Sequence, residues 1–119
     1  MLNLKQKLRK EADKLWQKKI LLRTSSCEVC NDYPYVVQAH HFYYKSNYGH
    51  LRYDLDNGIR LCKKCHFVLH HQDPKKIEEK IIEKRGEKWH KELQEKSREK
   101  LRLSYQTTSW YNEQIKRLS

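Results

Sequence analysis

Glycine and proline are scarce, at three and two of 119 residues. The chain carries no low-complexity linker and no internal repeat, so each of these few residues reads as punctuation at a turn or a helix end. Long apolar runs are absent as well. Residues 1–19 are charged throughout, which excludes a signal peptide or membrane span there. The expectation is a cytoplasmic chain with no membrane partner, whose thiols stay reduced and can bind metal. Apolar material is thin overall, with 34% charged residues and a mean hydropathy of -1.09. A single domain of this size and composition needs a staple beyond its core. Acidic residues are outnumbered, 15 against 26 Lys plus Arg, and the net charge of +11 points to a polyanionic partner, with nucleic acid foremost. A basic surface that serves only solubility is the plainer alternative.

The staple is written in the four cysteines. They fall as two Cys-x-x-Cys pairs, Cys27/Cys30 and Cys62/Cys65, a spacing that suits a tetrahedral zinc site better than any disulfide scheme. Four thiolates fill the coordination sphere and leave no open position, so this zinc would be structural. The competing reading is four buried or redox thiols. Everything between Cys30 and Cys62 becomes a loop closed by the ion.

The periodicity places the elements around that loop. Leu4, Leu8, Ala12, Leu15 and Trp16 recur at helical spacing and predict a basic amphipathic helix over Leu4 to Arg23, with Trp16, Ile20 and Leu21 as core contacts. After a turn marked by Asn31, Asp32 and Pro34, Tyr35-Val36-Val37-Gln38 reads as a strand ending at a histidine pair, His40 and His41. Neighbours in a strand point to opposite faces, so the two histidines take different roles only if the strand ends or twists there. Residues 43–54 have no clean period and read as a loop, whose Tyr43, Tyr44, Tyr48 and Tyr53 either pack or stack on nucleobases, packing being favoured. An Asp-Asn-Gly turn (Asp56, Asn57, Gly58) leads to a second short strand, Ile59-Arg60-Leu61. A helix over Lys63 to His71 begins within the second cysteine pair and sets His66 and His70 on one face. Asp73 and Pro74 start another helix, which Gly86 stops. Residues 87–101 and 109–118 read as two more helices, which wrap the centre or contact DNA or another subunit.

Six of the seven histidines lie in residues 38–71. Phosphodiester hydrolysis needs a base for the water, a cation on the phosphate and stabilisation of the leaving oxygen. His41 is the candidate base, since imidazole takes up a proton near neutral pH. His40, His66 and His70 can converge on one divalent ion. Asn57 either holds the loop or orients His41 through its amide. Arg52, Arg60, Lys63, Lys64 and Lys45 are candidates for phosphate contact. His71 is read as surface or phosphate-facing, and His50 and His90 as surface residues without partners. Three imidazoles also suit zinc or nickel, so a histidine-rich site without catalysis is the alternative.

These residues resemble the HNH, or ββα-metal, endonuclease superfamily: His40-His41 closing a strand, Asn57 in the loop, and His66-x-x-x-His70 on the helix. The arrangement is similar to that of the colicin-type DNases. By position, the resemblance implies that His40, His66 and His70 are ligands of a catalytic magnesium or manganese ion and that His41 is the base. It also implies cleavage to a 3′-hydroxyl and a 5′-phosphate. Cys27, Cys30, Cys62 and Cys65 match the zinc-stapled branch. Glu11-Ala12-Asp13-Lys14-Leu15-Trp16, Gln38-Ala39-His40-His41-Phe42 and Leu51-Arg52-Tyr53-Asp54, in that order, look like the NinG/Rap-type phage recombination endonucleases, which would place the chain in a host cytoplasm. The fold expected is a small α+β one. A basic helix (1–24) precedes a zinc-stapled ββα-metal core (27–71), and a helical C-terminal extension (74–119) follows. The substrate expected is branched, flap or single-stranded DNA, with a homodimer if a junction is cut. The alternatives are an HNH homing or nicking enzyme on linear DNA and a non-catalytic, zinc-dependent nucleic-acid-binding module.

Overall fold

The first helix, α1 (Leu4–Arg23), is set by its cap. The Asn3 side chain accepts from the Gln6 N–H (2.8 Å), and the Gln6 side chain accepts in return from the Asn3 N–H (3.0 Å). This reciprocal pair satisfies two donors that a helix start otherwise leaves bare. Ala12, Trp16 and Ile20 fall at i, i+4 and i+8, and all three are buried. The computed structural model describes residues 1–32, 36–99 and 105–119. The expected Pro34 turn, the Tyr35 start of the first strand and Leu101 at the end of a helix lie outside these residues.

Strand β1 (Val37–His41) pairs antiparallel with β2 (Gly58–Cys62), in a register that sets Val37 opposite Cys62, His40 opposite Ile59 and His41 opposite Gly58. Helix α2 (Lys63–His71) follows β2 without a break. Cys62 is its N-cap, its sulfur accepting from the Cys65 N–H. Helix α3 (Pro74–Arg85) begins on an Asp73 side-chain cap with proline in its first turn, and Gly86, at φ 97°, ends it in a conformation that side chains rarely adopt. Helices α4 (Glu87–Arg98) and α5 (Thr108–Leu118) complete the described chain. The result is a small α+β fold with five helices and a two-stranded antiparallel sheet among the described residues. None of these helices is long and apolar enough to cross a membrane.

Two clusters make the core. Ile59, Leu61, Leu69, Ile77 and Ile81 surround the cysteines, so α2 and α3 pack on the stapled centre. Trp16, Ile20, Tyr53, Trp110, Tyr111 and Leu118 form the other, in which α5 closes over α1. Arg85 fastens α3 to the first cysteine turn through Glu28 (2.5 Å) and to β2 through the Gly58 carbonyl (2.8 Å). Of the helices after Pro74, α3 therefore packs on the cysteine centre, whereas α5 packs on α1.

Candidate metal centres

The four cysteine sulfurs lie within 4.8 Å of one another. Cys30 Sγ and Cys62 Sγ are 3.7 Å apart, and a tetrahedron with zinc–sulfur bonds of about 2.3 Å has edges of about 3.8 Å. The residues present therefore fit a four-coordinate zinc. The first sulfur of each pair accepts a backbone N–H, Cys27 Sγ from Val29 two residues on (3.4 Å) and Cys62 Sγ from Cys65 three residues on (3.3 Å). Asn31 at φ 64° turns the chain back, so that the Asp32 carbonyl accepts from the Cys27 N–H (2.8 Å). Burial raises the Cys30 thiol to about 11 and pushes Cys65 up as well. Burial also opposes the Cys27 thiolate, yet the backbone donors of Cys30, Cys62 and Val29 outweigh it and bring this thiol down to about 7. A cation among the sulfurs would favour all four thiolates.

The second cluster is His40, His66 and His70, whose ligand nitrogens also lie within 4.8 Å of one another. His66 and His70 sit one turn apart on α2 with Nε2 atoms 3.1 Å apart, and the His40 ring faces both at centroid distances of 5.9 and 5.6 Å. Burial, with the neighbouring His70 and His66 adding to it, pushes His40 down to about 3, and His66 is lowered by its own burial with His70 and His71 adding. Neutral imidazoles carry the lone pair that a metal needs. Three protein ligands at the edge of a cleft fit an ion with an open coordination position, in contrast to the closed four-sulfur set. The cleft measures about 310 Å³ and is lined by these histidines together with His41, Tyr44 and Lys45.

His41 is half-buried beside the triad, and strand alternation sends its ring toward α1. It stacks on Trp16 at 4.0 Å, with 7° between the planes. Its Nε2 lies 2.9 Å from the Arg52 carbonyl oxygen. A carbonyl only accepts, so Nε2 carries the hydrogen and Nδ1 keeps its lone pair. Burial pushes His41 down to about 4, with the Lys45 and Arg52 charges adding and the bond to the Arg52 carbonyl opposing. At neutral pH the ring is therefore an uncharged base. The Arg52 backbone is itself held, because its guanidinium clasps the Asp13 carboxylate at 2.8 and 2.7 Å.

Several expected roles move. Arg52 is paired with Asp13, and Arg60 donates to the backbone carbonyls of Leu21, Thr24 and Ser25, so both guanidiniums anchor α1 and its exit. Asn57, fully buried, holds the loop, and its side-chain bonds go to backbone rather than to the His41 ring: its oxygen accepts from Tyr43 N–H (2.8 Å), and its amide donates to the carbonyls of Tyr43 (3.1 Å) and Leu51 (3.2 Å). His50 has a partner after all, the Lys96 carbonyl at 3.0 Å. His90 lies against Phe42 and Trp89, while His71 is exposed beside Phe67. Lys45, Lys63 and Lys64 are exposed. Tyr53 is buried, whereas Tyr44 stands 40% exposed.

Two residues missed from sequence complete the site, Trp16 and Asp13. Their spacing of three put both on one helical face, but only the docking of α1 shows that this face meets His41 and Arg52. Comparison of the chain with family models, curated proteins and solved structures gives no match.

Proposed function

We propose that the chain is a divalent-metal-dependent endonuclease of the HNH, or ββα-metal, type that hydrolyses DNA phosphodiester bonds, acting on branched or otherwise structured DNA in recombination or processing. The observation that carries this reading is the convergence on one cleft of a three-imidazole ligand set and a fourth imidazole, His41, whose Nδ1 is an acceptor. His40, His66 and His70 would hold the catalytic ion, magnesium or manganese, with zinc or nickel also accommodated. Such an ion supplies charge neutralisation at the phosphate and the leaving oxygen. His41 accepts the proton of the attacking water at Nδ1, while the Arg52 carbonyl fixes its tautomer and Trp16 its ring plane. Lys45 at the cleft and Lys63 and Lys64 at the start of α2 would meet backbone phosphate, a reading that the charge of +11 supports. The four-cysteine centre would hold structural zinc beneath α2.

The test is cleavage of a synthetic four-way junction and its linear duplex by wild type and His41→Ala, with magnesium, with manganese and with neither. Wild type is expected to cut only with the ion, and His41→Ala to keep DNA binding while losing about 10²- to 10⁴-fold in rate. A His41→Ala protein that cuts at the wild-type rate removes the assigned base. Tight, salt-sensitive binding with no scission under any ion would instead identify a zinc-dependent nucleic-acid-binding module.

A further inference from the structure

A groove leads away from the histidine cleft. Tyr44 lines that cleft and also a second one of about 380 Å³, walled by Phe42, Tyr43, Tyr48, His90 and Glu78. Tyr43, Asn47 and Tyr48 then line a third cleft, of about 600 Å³, which reaches Gln94 and Arg98. The walls are therefore aromatic faces interleaved with amides. Tyr44 is an exposed ring in a T-shaped pair with His40 (5.8 Å) and at 31° to His70 (6.3 Å), so it adjoins the candidate metal centre directly. Tyr48 leans on Tyr43 with ring centroids 4.8 Å apart and 59° between the planes, and Phe42 meets Tyr43 edge to face at 5.3 Å.

The tyrosines are held in place. Tyr48 and Asn47 both donate their N–H to the Tyr44 carbonyl (2.9 and 3.1 Å), and Asn57 fixes the Tyr43 backbone from below. A rigid aromatic wall costs little to order on binding. The charges sort what can enter. Glu78 in the second cleft repels phosphate but accepts from an exocyclic amine, and Asn47 and Gln94 offer both donors and acceptors. Lys45 and Arg98 stand at the two ends of the groove, where a strand's backbone would continue on either side of an inserted base. A base within a duplex has both faces covered by its neighbours, and only an unpaired one can stack on protein.

We infer that the groove from Tyr44 to Tyr48 is a subsite for an unpaired nucleobase adjoining the phosphate at the histidine cleft, so that the chain selects DNA with single-stranded nucleotides beside the cut. The position of that phosphate rests on the endonuclease reading; the base-binding groove does not.

The test measures affinity by fluorescence anisotropy on the full zinc-loaded chain, with no magnesium or manganese added. The probes are a labelled thymidine oligomer and a hairpin duplex with the same number of phosphates. Tyr44→Ala is expected to weaken the single strand about ten-fold, within the range for loss of one stacked base, and the duplex less than two-fold. Tyr44→Phe retains wild-type affinity, because the ring face is kept. A 2-aminopurine placed in the oligomer is quenched by wild type and not by Tyr44→Ala. The same sequence as RNA tells whether the sugar is also read. Equal losses on both DNA probes, or no loss on either, overturn the subsite, with zinc content confirming that the variant is folded. The two readings fail separately. A wild type that never cuts yet keeps the Tyr44-dependent preference loses the endonuclease reading and retains this one, whereas metal-dependent cutting with no Tyr44 dependence does the reverse.

Discussion

Replacing Asn57 with alanine should destabilise the protein by about 2–4 kcal/mol. The side chain is fully buried and makes three hydrogen bonds to the backbone across the loop. Truncation strands the Tyr43 N–H and carbonyl, groups only partly buried, and removes one of two donors from the Leu51 carbonyl, which also accepts from Asp54 N–H. Unsatisfied buried groups cost about 1–3 kcal/mol each, and water reaching the Tyr43 groups trims the sum. Against a total stability of about 5–15 kcal/mol this is a large share. Asn57→Asp is the sharper probe. It keeps the acceptor for Tyr43 N–H but aims a carboxylate oxygen at the carbonyls of Tyr43 and Leu51, and it buries a charge. The order of stability expected is Asn, then Ala, then Asp at or below Ala. Urea unfolding at fixed zinc concentration measures it, the midpoint falling at constant slope. A cost below about 1 kcal/mol, or an Asp variant milder than Ala, would refute the reasoning. On the proposed endonuclease reading, any folded fraction should cut DNA within a few-fold of wild type, because the Asn57 side chain bonds to the loop backbone and not to the His41 ring.

Two further outcomes follow from the packing. Cys62→Ser removes a sulfur that is at once a candidate metal ligand and the cap of α2, so the purified variant should hold less than one zinc per chain and lose helical circular dichroism. Stoichiometric zinc in that variant would contradict the four-sulfur assignment. Gly58→Ala places a methyl group against Ile20 and 2.9 Å from Trp16 Cζ2, where α1 crosses β2. Overpacking there should cost about 1–3 kcal/mol and displace the Trp16 ring from His41, seen as a downfield move of the His41 ring-proton resonances. Unchanged resonances would mean that Trp16 does not set the ring plane.

What was legible in the sequence is what local chemistry decides. Asp73 with Pro74 and then Gly86 mark the bounds of α3, and the apolar spacing from Leu4 gives α1 its full length. The cysteine and histidine spacings identified both clusters, since ligands one turn or one knuckle apart must meet. What was not legible lies across long separations. Arg52 and Asp13 are 39 positions apart, as are Arg60 and the Leu21 carbonyl. In a basic chain, nothing local distinguishes an arginine bound for an internal carbonyl from one left for phosphate. The same holds for Trp16: its helical face was plain, but a stack on His41 depends on where α1 docks. The histidine pair needed no irregularity to divide its roles, because the alternation of β1 already turns His40 to α2 and His41 to α1.

The clasp between α1 and α5 also bears on synthesis. Trp16, the ring on which His41 rests, shares its cluster with Trp110, Tyr111 and Leu118. At about 5–20 residues per second, the ribosome needs roughly 5–20 s to pass from the first of these tryptophans to the other. For that interval the side of α1 that α5 covers is made but bare, and the wall behind the proposed base has no final position. A nascent chain thus gathers both sets of metal ligands well before it completes the support for its histidine, and competence to cut would arrive only with the residues of α5.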